Sequence, residues 1–145
     1  MPAPNQIVIV IGSFHRPEAE IMLEGALKTA AANNLQVADQ VWVPGSMEKP
    51  LAPKRALLQE SIDGGVVLGV IEQGQTAHGR VMGQATIGAI IDLQLELMKP
   101  VGVGILGPDI RPEQIEERLV PQSTVPGEVT SATQPFTRVS VSPFI

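Results

Sequence analysis

The chain has 145 residues, enough for one ordinary domain that buries roughly 70% of its unfolded surface and too few to suggest two. Charged residues make up only 17%, but no apolar run reaches the ~18 residues that a membrane-spanning helix needs. A formal net charge of −5 and 3% aromatic residues argue against a nucleic-acid partner, and the absence of cysteine excludes disulfides and thiol chemistry. The N-terminus lacks a signal-peptide pattern, so we expect a cytoplasmic protein, and the low charge content favours a homo-oligomer.

Apolar runs rich in valine and isoleucine, bounded by glycine or proline, predict four buried parallel strands. The strands are expected at residues 6–12, 37–43, 64–71 and 100–106. Helices are predicted in between and after, at residues 18–33, 49–61, 80–98 and 112–119. Strands that alternate with helices in this way predict an α/β domain built on a parallel four-stranded sheet.

The helix predicted at 80–98 is apolar almost all round, so it must be covered on both sides. A single sheet covers only one face, and two interpretations of the other face are open. Either the helix is fully buried within one subunit, or its second face meets a neighbouring subunit. Small residues that would let two backbones approach are present at Gly83, Ala85, Gly88 and Ala89.

Residues 120–145 contain four prolines and many serines and threonines, without helical periodicity. They predict a C-terminal tail that follows an α/β domain at residues 1–119. Within this tail, residues 136–142 alternate apolar and polar, which is typical of an edge strand on this or a neighbouring sheet. A disordered tail is the alternative.

The only two histidines, His15 and His78, each follow a predicted strand, at the edge where open α/β sheets bind ligands. Backbone amides around residues 74–76 precede a helix and make a candidate anion site, beside which His78 could move protons. The alternative for His78 is an ordinary polar loop residue. Glu48 could accept hydrogen bonds from a ligand or simply favour a helix dipole, and Phe14 could stack on a flat ring or plug the sheet.

Cofactor and metal motifs are missing from these loops. No GxGxxG follows the first strand, and the chain has no GxxxxGK[ST] motif for a nucleoside triphosphate. Two histidines on different loops do not make a persuasive metal site. We therefore expect neither a cofactor nor a metal ion.

Four segments, taken in chain order, resemble the 6,7-dimethyl-8-ribityllumazine synthase family, with a similarity that runs from about Gln6 to Leu119. They are GSFHR (12–16), VWVPGSMEKPLAPKR (41–55), LGVIEQGQTAHG (68–79) and PEQIEER (112–118). Residues 41–55 are similar to the family's VPG(A/S)(F)E(I)P segment, and residues 68–79 are similar to its LG.VI.G.T.H stretch. The resemblance implies a flavodoxin-like three-layer sandwich that forms a pentamer or a larger particle, with sites shared between subunits.

The resemblance also implies roles for the matching residues. Phe14 would stack on the pyrimidine of 5-amino-6-ribitylaminouracil, and His78 would be the proton shuttle. The remaining positions would hold the ribityl chain (Ser46, Met47, Glu48), line the ring pocket (Val70, Ile71), and bind the phosphate of 3,4-dihydroxy-2-butanone 4-phosphate (Gly74, Gln75, Thr76, and Arg118 of an adjacent subunit).

Departures from the family pattern include three substituted positions. His15 stands where the family usually has an asparagine, and Val103 where the fourth strand lends an aromatic residue to the neighbour's pyrimidine. Gln73 replaces a basic residue before the phosphate-binding glycine, a charge that Arg80 could restore. We expect His15 and Val103 to contact substrate in spite of the changes.

The reaction that the resemblance implies belongs to riboflavin biosynthesis. The two small-molecule substrates would condense to 6,7-dimethyl-8-ribityllumazine and phosphate, without nucleic acid or membrane as a partner. Two alternatives remain at this stage. One is a non-catalytic homologue that binds lumazine or flavin or assembles a shell, and the other is an unrelated phosphate-binding protein of the same fold.

Overall fold

The computed structural model describes residues 3–124. Strands and helices alternate along this part of the chain, as the sequence predicts. They are β1 (Asn5–Gly12), α1 (Arg16–Ala32), β2 (Leu35–Val43), α2 (Leu51–Leu57), β3 (Gly64–Glu72), α3 (His78–Leu97), β4 (Val101–Ile110) and α4 (Pro112–Thr124). A single 3-10 turn, Ser46–Glu48, precedes α2.

The four strands form one sheet in the order β2-β1-β3-β4, with every neighbouring pair parallel. The central strand β1 is buried from Ile7 to Gly12 because helices cover both of its faces. Since successive side chains of a strand point to opposite faces, Ile7, Ile9 and Ile11 pack with α1 and α4. Val8 and Val10 pack on the other face, with α2 and α3. The predicted three-layer α/β architecture is therefore confirmed.

The ends of several elements differ from the sequence-based expectation. The predicted helix 49–61 is shorter, and α3 begins at His78, two residues before the predicted start. The fourth strand is longer than the predicted 100–106, because β4 continues to Ile110 beside the end of β3. Helix α4 extends to Thr124, past its predicted end, and the possible edge strand at 136–142 lies outside the described residues.

One glycine explains how β4 continues past its predicted end. Pairing with β3 shifts register after Val70 and resumes with Glu72 opposite Ile110. Between these pairs, Gly107 adopts φ +97°, and its backbone approaches the Ile71 carbonyl so closely that a Cβ would not fit. A residue without a side chain is needed for this conformation.

Helix α3 is buried on one face only within the single chain. Residues that repeat along the inner face are buried, namely Gly83, Thr86, Ile90 and Leu93. Apolar residues on the outer side remain exposed, namely Val81, Ile91 and Leu95, together with Met98 just after the helix. Of the two interpretations of this helix, full burial within one subunit is wrong for the chain as described.

Between residues 3 and 124, no helix is long and apolar enough to cross a membrane.

Candidate active site

The loops after β1, β2 and β3 open at one edge of the sheet, because the strands are parallel and adjacent. Gly12 at the end of β1 lies opposite Val43 at the end of β2, and the Ser13 amide donates to the Val43 carbonyl at 2.8 Å. The two polar segments that follow these strands therefore start side by side. This is the edge at which ligands bind in open α/β sheets.

The first loop presents an aromatic ring and an imidazole. Phe14 is 80% exposed, and its ring meets His15 edge-on with 5.1 Å between centroids. The next residue, Arg16, stacks its guanidinium 3.7 Å from the centre of the Trp42 ring on β2, which fixes the start of α1. An exposed Phe14 does not plug the sheet, so its ring is available to stack on a flat ligand.

His15 faces a carboxylate from the neighbouring strand. Its Nε2 lies 3.9 Å from Oε1 of Glu72, the last residue of β3. This distance allows an ion pair when the imidazole is protonated but is too long for a direct hydrogen bond. Sequence reasoning named His15 and missed Glu72, although an acidic residue that ends an otherwise apolar strand was a signal for it.

The second loop folds into the 3-10 turn Ser46–Glu48. Glu48 closes this turn, since its Oε2 accepts a hydrogen bond from the Gly45 amide at 3.0 Å. Met47 is 72% exposed, whereas Ser46 is anchored through its carbonyl, which accepts a hydrogen bond from the Thr86 hydroxyl of α3 at 3.3 Å. Glu48 thus has a local structural role in closing the turn, and its function in ligand binding stays a prediction.

The third loop, residues 73–77, leads into the N-terminus of α3 and is exposed throughout. Backbone amides at a helix N-terminus attract anions, as the sequence predicts for Gly74, Gln75 and Thr76. The Thr76 hydroxyl already accepts the His78 amide at 3.3 Å. His78 is the first residue of α3 rather than part of the loop, and it is exposed.

Glycine at position 79 permits this arrangement. A Cβ there would lie 2.6 Å from the carbonyl oxygen of Glu72, so the first turn of α3 can approach the end of β3 only without a side chain. One residue on, Arg80 forms an ion pair with Asp109, with Nη2 3.1 Å from Oδ2. The charge that Arg80 could restore near the phosphate loop is therefore engaged by a carboxylate in the single chain.

The remaining predicted site residues are less close to this edge. Val70 and Ile71 are both buried at the end of β3 and point to opposite faces of the sheet. Val103 lies on the edge strand β4, where it pairs with Val67 several residues before the loops begin. Arg118 lies on α4, which packs against α1 on the face opposite α3. The single chain thus brings together the predicted residues of three loops, but not Val103 and Arg118.

Lys49, which sequence reasoning did not single out, is buried directly behind the 3-10 turn with 2% of its surface exposed. Burial lowers the pKa of Lys49 to about 8, and the neighbouring Glu48 carboxylate opposes this by favouring the charged form. No pattern along the sequence marks it, because the space it fills lies over Gly12 of β1 and Gly69 of β3, which meet only in the folded sheet.

The described part of the chain holds no cluster of three or more histidine, cysteine or acidic residues that could bind a metal ion.

Comparison with known proteins agrees with the resemblance. Residues 4–134 match the model of a family described as 6,7-dimethyl-8-ribityllumazine synthase, so the match continues past Leu119. The chain is 38% identical over 116 residues to the protein of that name from Metallosphaera sedula, covering 80% of this chain and 77% of the relative. It is 36% identical to the Saccharolobus solfataricus protein over 116 residues, with 80% and 75% covered. Over 110 residues it is 36% identical to the Methanoculleus marisnigri protein, with 76% and 82% covered.

Proposed function

The chain belongs to the 6,7-dimethyl-8-ribityllumazine synthase family, and from this premise we propose how its site condenses 5-amino-6-(D-ribitylamino)uracil with 3,4-dihydroxy-2-butanone 4-phosphate. The enzyme is a transferase of riboflavin biosynthesis, and its products are 6,7-dimethyl-8-ribityllumazine and phosphate. The family match over residues 4–134 is the observation that carries this function. The non-catalytic alternative is not favoured, since the relatives compared above are named as synthases.

The pyrimidine binds at the end of β1. Phe14 offers an exposed ring for stacking, and His15 lies beside it with Glu72 3.9 Å away. Val70 and Ile71 line the pocket from β3. The ribityl hydroxyls extend to the second loop, where Ser46 and Glu48 carry polar groups and Met47 is exposed.

The phosphate of the second substrate binds at the N-terminus of α3. Amides of Gly74, Gln75 and Thr76 supply donors, and the helix dipole favours the negative charge. Arg118 of an adjacent subunit adds a cation, and Val103 of a neighbour approaches the pyrimidine. A shared site of this kind explains why the single chain keeps Arg118 and Val103 apart from the loops.

The reaction needs the two substrates to be held in position and protons to be transferred, but it needs no external cofactor. The 5-amino group attacks the ketone and forms an imine with loss of water. Phosphate then leaves, and the ribitylamino nitrogen closes the ring with loss of a second water. His78, next to the phosphate loop, moves protons during elimination and closure, and much of the rate gain comes from holding both reactants together.

We infer that the working form is a cytoplasmic homo-oligomer of at least five subunits. Exposed apolar residues on and beside α2 and α3, two helices that cover the same face of the sheet, support an assembled form. A site completed by Arg118 from an adjacent subunit requires such an assembly.

A direct assay tests the function. Purified protein incubated with both substrates should produce lumazine fluorescence faster than the uncatalysed mixture, and omission of either substrate should abolish the signal. His78→Ala should slow turnover by about 10- to 100-fold if the imidazole only shuttles protons, which is at or just below the usual range for general acid–base catalysis. Formation of product at the uncatalysed rate by the wild-type protein would refute the enzymatic function.

A further inference from the structure

Lys49 lies in a notch on the sheet that two glycines create. Gly12 and Gly69 are neighbours on β1 and β3, one step beyond the paired residues Ile11 and Leu68. A Cβ on Gly12 would lie 3.0 Å from Cε of Lys49, and a Cβ on Gly69 would overlap its Nζ. The lysine side chain therefore occupies the space that two strand side chains would otherwise fill, on the face covered by α2 and α3.

The ammonium group in this notch has a sparse set of partners. Its one hydrogen bond among the described contacts is to the Ser46 hydroxyl, with Nζ 3.5 Å from Oγ. The Glu48 carboxylate on the same turn attracts the ammonium electrostatically. The residues of β1 and β3 next to the ammonium are glycines, which have no side chain to pair with it. From α3, the uncharged Thr86 reaches only the Ser46 carbonyl. The charge of Lys49 thus acts on the 3-10 turn and on little else.

Hydrogen-bond chemistry gives this contact a direction. An ammonium has three donors and no acceptor, so the Ser46 oxygen must accept from Lys49. The single proton of the Ser46 hydroxyl is then left to donate elsewhere. In the same turn, the Glu48 carboxylate can only accept hydrogen bonds while it is ionised. The turn therefore offers a ligand one defined donor and one defined acceptor.

We propose that Lys49 is a positioning residue that orients the Ser46 hydroxyl as a donor toward the ribityl chain of the substrate. The inference rests on the proposed function, because it assumes that the ribityl hydroxyls bind at Ser46–Glu48. It assigns Lys49 a part in selecting the polyol side chain rather than the heterocycle.

The protonation state of Lys49 sets this orientation. A neutral amine can accept a hydrogen bond from the Ser46 hydroxyl. That hydroxyl is then no longer free to donate to the ligand. Since the pKa of Lys49 is about 8, the positively charged form declines as the pH rises from about 7 to about 9. Selectivity for the ribityl chain should decline over the same interval.

The test compares two ligands that differ only in the side chain, namely 6,7-dimethyl-8-ribityllumazine and 6,7,8-trimethyllumazine. Fluorescence titration gives the Kd of each without turnover. Lys49→Met should weaken the ribityl ligand by up to about 10-fold, the upper end for one hydrogen bond between neutral groups, and leave the methyl ligand unchanged. Lys28→Met, at an exposed lysine on α1, is the matched control and should change neither Kd.

Two further measurements isolate the path through Ser46. In a Ser46→Ala background, Lys49→Met should have no additional effect on the ribityl ligand, since the group that it positions is gone. In the wild-type protein, the ratio of the two affinities should fall between about pH 7 and pH 9, and in Lys49→Met it should stay constant. The pH dependence of the wild-type protein tests the proposal even if a variant does not fold.

The outcomes separate the two proposals. Equal weakening of both ligands by Lys49→Met, or an affinity ratio independent of pH in the wild type, would overturn the role of Lys49. Failure of the wild-type protein to form product would instead count against the proposed function, while the difference between the two ligands still reports on Lys49. If the wild type binds neither ligand, both proposals are wrong.

Discussion

At the scale of single residues, Lys49 should reduce the stability of the fold at neutral pH. Its pKa is lowered from 10.5 to about 8, so between these values the unfolded chain holds a proton that the folded chain has released. Unfolding free energy therefore rises as the pH increases from about 8 to 10.5, and below pH 8 the buried charge costs about 3 kcal/mol. We expect Lys49→Met to raise the unfolding free energy by about that amount near pH 7 and by much less near pH 10.

Urea unfolding at the two pH values measures this effect. Lys28→Met provides the comparison, because the exposed Lys28–Glu24 pair on α1 contributes little at any pH. A Lys49→Met protein that is less stable than the wild type near pH 7 would show that contacts of the ammonium outweigh its loss of hydration.

The same residue shows where sequence reasoning stops. Phe14, Glu48 and His78 could be found because each follows a strand, and the ends of parallel strands meet at one edge. Lys49 could not, since its burial depends on two glycines from distant strands that only the folded sheet brings together. Roles taken from family resemblance have no such geometric origin, and those of Val103 and Arg118 stay predictions.

At the scale of elements, the contact between α3 and β4 depends on Gly83. A Cβ at this position would lie 2.6 Å from Cγ of Pro108, so the helix would have to move away from the strand. We expect Gly83→Ala to lower the unfolding free energy by about 1–3 kcal/mol, as overpacking usually does. Gly88 on the same helix has open space around its Cβ position, and Gly88→Ala should stabilise the helix by about 0.5–1 kcal/mol. Denaturant unfolding measures the unfolding free energy of each variant. An equal change in the two variants would contradict the close packing of Gly83 against Pro108.

The elements themselves were largely predictable, whereas their ends were not. Runs rich in valine and isoleucine located the four strands of the described sheet, because parallel strands that are buried on both faces consist mostly of such residues. The end of β4 depends instead on pairing with β3 across a register shift, and the start of α3 on the close approach of Gly79 to Glu72. Both features depend on contacts between segments that are distant in sequence. The hydrophobic periodicity of a single segment cannot predict such contacts.

At the scale of the whole molecule, the exposed apolar surface calls for a partner. Leu51 and Leu58 around α2 and Leu95 and Met98 around α3 are each more than half exposed, and both helices lie on the same face of the sheet. Burial of such surface drives association, and a second copy of this chain is the partner that the proposed shared site would need. We expect light scattering at micromolar concentration to give a mass at least five times the 15.4 kDa of one chain.

A charge placed on this surface should dissociate the assembly and reduce activity together. Leu95→Lys introduces an ammonium at a position that is 65% exposed in the single chain, so the isolated subunit should still fold while burial in an interface becomes costly. Because Arg118 would then no longer reach a neighbour's phosphate loop, turnover should fall along with the mass. Lys28→Glu, a charge reversal on the exposed side of α1, should leave both unchanged. An unchanged mass with full activity in Leu95→Lys would exclude Leu95 from the interface, and a monomeric but active wild type would refute the shared site.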